Sequence, residues 1–216
     1  VKTQQEFDQR AEKFNGVSGI VVIDLRTGWE YKRNSSAEIP AASVIKIPIM
    51  AACFKAYSEG KLDINQYITL KTSNKVSGSG VLKTFPAGRQ FTVAQLIELM
   101  IAYSDNTAAN ILIYILGFDY CNQFFKDQGL THTLLSRKMM HFKARKQGIE
   151  NFTSADDTAL LLSKMYFRKF VSVEVSDQCM RFLVKQHYRD RIPAKLPQGV
   201  VCAHKTGLER NICPDA

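Results

Sequence analysis

Strand-forming sequence is confined to the two ends of this chain, and nearly everything between them is patterned for helices. Near the start, Gly19-Ile20-Val21-Val22-Ile23-Asp24-Leu25 is apolar and β-branched, and Arg26-Thr27-Gly28 is a turn. Trp29-Glu30-Tyr31-Lys32 then alternates as a strand with one wet face. Near the end, Gly199-Val200-Val201-Cys202-Ala203-His204-Lys205-Thr206 reads as a further strand. A sheet must bury a face against another layer. The pattern therefore predicts an α/β protein of the two-lobed α+β kind. An antiparallel sheet is built from the chain termini, residues 1–45 and 190–216, with an all-helical lobe inserted over 46–189.

The helices follow from caps and periodicity. Phe7, Ala11 and Phe14 lie at helical spacing, with Gly16 as the stop. A helix is expected from near Ser43 to about Glu59, ended by Gly60. Thr92 reads as an N-cap, and Val93, Leu96, Ile97, Met100 and Ile101 form an apolar stripe behind it. Asn106 to Leu116 is a helix stopped by Gly117, and Asp119 to Gln128 is another, ended by Gly129. Ser154, with Asp157 three residues on as a capping-box variant, starts a helix to about Phe167. Ser176 is expected to cap the last, running to about Tyr188.

Composition narrows the partners. The 216 residues carry 29 Lys and Arg against 20 Asp and Glu, a formal charge of +9, and the pI near 9.3 favours anionic partners. No apolar run is long enough to span a bilayer, so no transmembrane segment is expected. No leader pattern opens the chain at Val1, so a signal peptide is expected to be absent or already removed. The densest basic stretch, Arg137 to Lys146, has only Phe142 interleaved. It reads as a solvated basic face rather than a nucleic-acid platform, and no nucleic-acid partner is expected. Cys53, Cys121, Cys179, Cys202 and Cys213 form no C-x-x-C pair. They read as small buried hydrophobes, with Cys213 exposed, and no metal or cofactor is expected.

Three short motifs can carry chemistry. Ser43 and Lys46 stand at i and i+3, on one face of a helix and about 5–6 Å apart at Cβ. A Lys held neutral can take the proton of a Ser hydroxyl, which unassisted is a poor nucleophile. Ser104-Asp105-Asn106 by itself reads first as a helix cap, and secondly as a proton-relaying hydroxyl with an amide offered to a substrate and to Lys46. Lys205-Thr206-Gly207 is either a plain strand end with a turn Gly or a site for a substrate carboxylate approached closely by the backbone.

In this order, the three motifs mark class A β-lactamases and penicillin-binding proteins. The chain resembles that serine-hydrolase family from about Phe7 onward. Asp24 to Gly28, Gly78 to Leu82, Arg191 to Pro197 and His204-Lys205-Thr206-Gly207 also match. The resemblance implies Ser43 as the acylated nucleophile and Lys46 as its base or proton relay. It implies that Ser104 passes the proton to the leaving nitrogen and that Asn106 binds the amide of the acyl side chain. Lys205 and Thr206 would hold the substrate carboxylate, and the N–H groups of Ser43 and Leu208 would form the oxyanion hole. The implied substrates are β-lactams or the peptidoglycan stem peptide, met outside the cell or in a bacterial envelope.

The sequence departs from the family in two places. The family places a Glu in the loop after an L-x-R segment, where it activates the deacylating water, and an Asn four residues later. Here Leu135-Ser136-Arg137 leads to Met139 and Lys143 at those positions, and the nearest carboxylate in sequence is Glu150. A thioether cannot act as a base, and general-base help is worth roughly 10²–10⁴-fold. Slow deacylation is expected, as in D,D-peptidase relatives with an apolar residue there. A hydrolase using another base and a non-catalytic wall-peptide binder are the alternatives. Secondly, only Leu208 to Ala216 follow Gly207, so the family's last two strands and terminal helix are expected to be missing, leaving the 200–206 strand with a free edge.

Overall fold

A computed structural model describes residues 4–216. In chain order the helices are α1 (Gln4–Glu12), α2 (Lys46–Ser58), α3 (Val93–Ala102), α4 (Asn106–Leu116), α5 (Phe118–Asp127), α6 (Phe142–Lys146), α7 (Ala155–Tyr166) and α8 (Val173–Val184). The strands are β1 (Ile20–Ile23), β2 (Glu30–Arg33), β3 (Ile39–Pro40), β4 (Tyr67–Thr69), β5 (Gln90–Thr92) and β6 (Phe152–Thr153). They pair antiparallel as β1 with β2, β3 with β6 and β4 with β5. The mixed, two-lobed α/β class read from the sequence is the class observed, but the 46–189 stretch is not all helical: β4, β5 and β6 lie within it, because short strands of three residues or fewer carry too little periodicity to read.

Helix α2 is the axis of the helical part. Ile47, Ile49, Met50, Ala51, Ala52 and Cys53 are all fully buried, so it is apolar on every side. Helices α3, α4, α5 and α8 pack around it. At the other end, Asp24 Oδ1 accepts the N–H groups of Arg26 and Thr27 at 2.9 and 3.2 Å and shapes the β1–β2 turn. Phe7 stacks on Tyr31 with centroids 4.9 Å apart, and Tyr31 donates to Asp8 at 2.8 Å, so α1 is fastened to the hairpin.

Several expectations need correction. Helix α1 ends at Glu12, and Phe14 lies beyond it, exposed. Ser43 does not begin an α-helix; it sits in a 3-10 turn, Ala42–Ile45, that leads into α2. Ser172, not Ser176, caps α8, accepting from Val175 N–H at 3.2 Å. Ser176 is buried one turn inside and donates to the Phe170 and Ser172 carbonyls. Ser154 caps α7 as expected, but the Asp157 carboxylate turns away to His132 N–H and the Thr133 hydroxyl, so no capping box closes.

The 199–206 segment forms no continuous strand; it pairs only near Thr206, which bridges to Asp215. Lys205 N–H donates to Ala216 O at 2.6 Å and Gly207 N–H to Pro214 O at 2.8 Å. The edge expected to be free is therefore covered at Lys205–Gly207 by residues of the chain itself. The basic stretch is only partly a solvated face: Arg137 is buried and ion-paired, while Lys138, Lys143 and Lys146 are exposed. All five cysteines are free; Cys53, Cys121 and Cys179 are buried and Cys213 is exposed. Among the described residues, no helix is long and apolar enough to cross a membrane.

Candidate active site

The 3-10 turn before α2 places Ser43 over the first turn of that helix, with Lys46 one turn further on. Ala42, just before Ser43, has φ +43°, and Ser104 has φ +52°. Two non-glycine residues in the left-handed region side by side in one site mark strain that the surrounding packing must hold. The spacing of Ser43 and Lys46 survives the change of helix type. Lys46 Nζ lies 3.0 Å from Ser43 Oγ.

Lys46 is fully buried. Its amine also lies 2.7 Å from Ser104 O, 2.7 Å from Asn106 Oδ1 and 3.2 Å from Ser104 Oγ. Burial pushes its pKa down to about 7, against the opposing charges of Asp105 and Glu209. Lys205 is equally buried and reaches Ser104 Oγ at 3.0 Å and Thr206 O at 2.6 Å. Burial first, and then the like charge of Lys46, hold its pKa well below the usual lysine range. The Ser104 hydroxyl thus sits between two amines, with its O–H free to point toward a substrate.

The Ser104-Asp105-Asn106 motif is both a cap and a site. Asp105 is the N-cap of α4, its Oδ1 accepting Ala108 N–H at 2.9 Å. Its Oδ2 accepts the N–H groups of Val81 and Leu82 at 2.6 and 2.8 Å, drawing the 78–82 segment against the helix start. Gly80, at φ +111°, passes so close that a Cβ there would lie 2.3 Å from the Asp105 carboxyl. Asn106 turns its Oδ1 to Lys46 and its amide to Ser77 O at 3.2 Å.

Thr206 is buried and Leu208 is exposed. Between them, a Cβ on Gly207 would come within 3.1 Å of the Ser43 nitrogen and 2.7 Å of Pro214 Cγ. The glycine is what lets this segment run against the Ser43 N–H. Met139 is buried in the core, and its backbone is clipped by Asn110. Met139 N–H donates to Asn110 Oδ1 at 2.7 Å and Asn110 Nδ2 to Met139 O at 3.1 Å. Lys143 is exposed. Glu150 is not a free carboxylate: it takes Arg137 Nε and Nη2 at 2.7 and 2.6 Å, and Arg145 Nε lies 3.3 Å away.

The structure therefore gathers Ser43, Lys46, Ser104, Asn106, Lys205, Thr206 and Gly207 in one place, with Leu208 next in the chain. Asn110 and Glu209 escaped the sequence reading, and so did the hold of the Asp105 cap on the 78–82 segment. Asn110 had a signal, since it stands at i+4 from Asn106 on the same face of α4. Among the described residues, no cluster of His, Cys, Asp and Glu could hold a metal ion.

The family described as the beta-lactamase enzyme family matches residues 2–216. The extended-spectrum beta-lactamase PER-1 of Pseudomonas aeruginosa is 25% identical over 182 residues, covering 81% of this chain and 58% of that protein. Beta-lactamase BRO-1 of Moraxella catarrhalis is 26% identical over 198 residues, covering 90% and 63%. The chain thus spans less than two thirds of the length of these two relatives. Among solved structures, a beta-lactamase from Sphaerobacter thermophilus is 31% identical with a TM-score of 0.89, over 98% of this chain and 81% of that one. PBP-A is 30% identical with a TM-score of 0.85, over 94% and 76%. A PBP-A variant superposes equally well as its acyl-enzyme complex with penicillin G.

Proposed function

The chain belongs to the beta-lactamase enzyme family, and from that premise we propose that it forms an acyl-enzyme on Ser43 with β-lactams or D-Ala-D-Ala-type wall peptides and releases it slowly. The observation that carries this reading is the fully buried Lys46 amine 3.0 Å from the Ser43 hydroxyl.

A neutral lysine has two N–H donors and one lone pair. The two carbonyl oxygens at 2.7 Å, Ser104 O and Asn106 Oδ1, can only accept, so they take both N–H groups. The lone pair is left for the Ser43 O–H. With a pKa of about 7, a large fraction of Lys46 is neutral at physiological pH. The hydroxyl proton passes to Lys46 as Ser43 Oγ attacks the carbonyl carbon. The negative charge forming on that oxygen meets the N–H groups of Ser43 and Leu208. The C–N bond then breaks, and the leaving nitrogen takes the Ser104 hydroxyl proton. Ser104 recovers a proton from Lys46, 3.2 Å away. A substrate carboxylate beside Lys205 and Thr206 favours the charged form of Lys205, offsetting the burial that opposes it. Release needs an activated water, and at position 139 the chain offers a thioether. The acyl-enzyme of a similar protein with penicillin G supports β-lactams as acyl donors. Wall peptide as substrate places the protein outside the cytoplasm.

Intact-mass spectrometry after mixing with penicillin, followed over hours, tests the reading. A one-to-one adduct persisting for minutes or longer is expected, and Ser43→Ala should not form it. Labelling of Ser43→Ala at the wild-type rate would exclude Ser43 as nucleophile. Release within milliseconds is the outcome of a hydrolase with another base, and no adduct at all that of a binding relative.

A further inference from the structure

We propose that Glu209 is a positioning residue of this site: paired with Arg137 and Arg145, it fixes the backbone of Leu208 so that its N–H points at the oxyanion. The inference rests on the acyl-enzyme reading. Leu208 cannot be held by its own side chain, which is 71% exposed. Its neighbours are held instead. On one side, Gly207 N–H donates to Pro214 O at 2.8 Å, and Arg191 Nη1 donates to Gly207 O at 2.5 Å and to Pro214 O at 2.8 Å. On the other side, Glu209 exchanges backbone hydrogen bonds with Ile212, 3.0 and 3.1 Å, around Arg210 and Asn211.

The Glu209 side chain then leaves this turn for the loop that carries Met139. Arg137 Nη2 donates to its two oxygens at 3.1 and 3.4 Å, and Arg145 Nη1 lies 3.0 Å away. The Arg137 side chain is 3% exposed. Two guanidinium groups here face two carboxylates, Glu150 and Glu209, so the cluster is neutral. Without Glu209 one carboxylate would serve two cations, one of them buried, and the Glu209–Ile212 turn and the loop would lose their tie. An oxyanion donor works only at about 2.7–3.1 Å from the oxygen, and a misplacement of about 1 Å can cost about a hundredfold in rate.

The test compares wild type with Glu209→Gln, using penicillin G, by rapid-quench intact-mass spectrometry across concentrations. This separates the acylation rate constant from the Kd of the non-covalent complex. An infrared spectrum of the penicilloyl ester reports hydrogen bonding at its carbonyl. We expect acylation to fall about tenfold or more, Kd to change less than about threefold, and the ester carbonyl band to move to higher frequency. Glu209→Asp should recover part of the rate. Loss of the Glu209 charge would also favour neutral Lys46, since that charge opposes the burial effect. A slower reaction is therefore not explained by Lys46. If Glu209→Gln does not fold, Arg145→Gln removes one of the two cations and should show the same changes in smaller measure. Rates within twofold of wild type and an unmoved carbonyl band, in whichever variant folds, overturn the inference while the acyl-enzyme stands. A wild type that forms no adduct overturns the functional reading itself.

Discussion

At Met139, backbone and side chain serve different ends. Asn110 clips the backbone on both its donor and its acceptor, which sets the path of the loop whatever the side chain is. The side chain is buried among apolar neighbours. A carboxylate placed there by Met139→Glu would be desolvated, and burial raises a carboxyl pKa toward the range of a useful base. Lys143 is exposed, so its pull on that carboxylate is screened by solvent. Met139→Glu should therefore shorten the life of the penicilloyl adduct, by up to about 10²-fold, at a cost in stability of about 1–3 kcal/mol. Adding Lys143→Asn should do better than the two single effects combined, as residues sharing one water do. Adduct decay by mass spectrometry measures both. Unchanged decay in Met139→Glu would mean that the side chain at 139 does not face the ester.

At the scale of elements, legibility followed locality. The Thr92 cap, and α4 from Asn106 to Leu116, came straight from the sequence because each signal lies within one turn of the element it sets. The nucleophile motif was legible for the same reason. Helix α8 was placed too late because Val171, Val173 and Val175 are β-branched and argue against a helix start. Packing of Cys179, Phe182 and Leu183 overrides that preference. Ser172→Ala should thus cost about 1 kcal/mol, read as a lower Tm, because the Val175 N–H loses its acceptor. No change in Tm would leave α8 uncapped at no cost. What the sequence could not show were side-chain pairs across loops. Arg137 and Glu209 are 72 residues apart and Asn110 and Met139 are 29 apart, and neither spacing carries a period. The late strand failed differently: its residue types favour a strand, but pairing needs a partner, and the partner is found only near Thr206.

At the scale of the whole molecule, the site sets how stability depends on pH. An unfolded chain keeps Lys46 protonated up to about pH 10.4. In the folded protein burial lowers that pKa to about 7. Between those limits the unfolded state binds the extra proton, so stability rises with pH. Lys205 is displaced in the same direction, mainly by burial. His204, buried with neither ring nitrogen hydrogen-bonded and its Nδ1 3.6 Å from Asp215, also has a lowered pKa, again mainly from burial. Its unfolded form takes up a proton below about pH 6.5, so stability is lost as the pH falls through that value. All three groups act with one sign. Calorimetry from about pH 5 to about pH 8 should show Tm climbing by several degrees; above that the buried thiols of Cys53, Cys121 and Cys179, whose pKa burial raises, act with the opposite sign. The net charge of +9 also shrinks as pH rises toward the pI near 9.3, and that contributes to the climb. Lys46→Met separates the two causes. It leaves most of the net charge in place but removes the proton linkage, so the slope of Tm between about pH 7 and about pH 8 should flatten. Its absolute Tm is no guide, since Ser104 O and Asn106 Oδ1 lose their donor. An unaltered slope in that variant would mean that Lys46 is charged in the folded protein, and a charged Lys46 has no lone pair to offer Ser43.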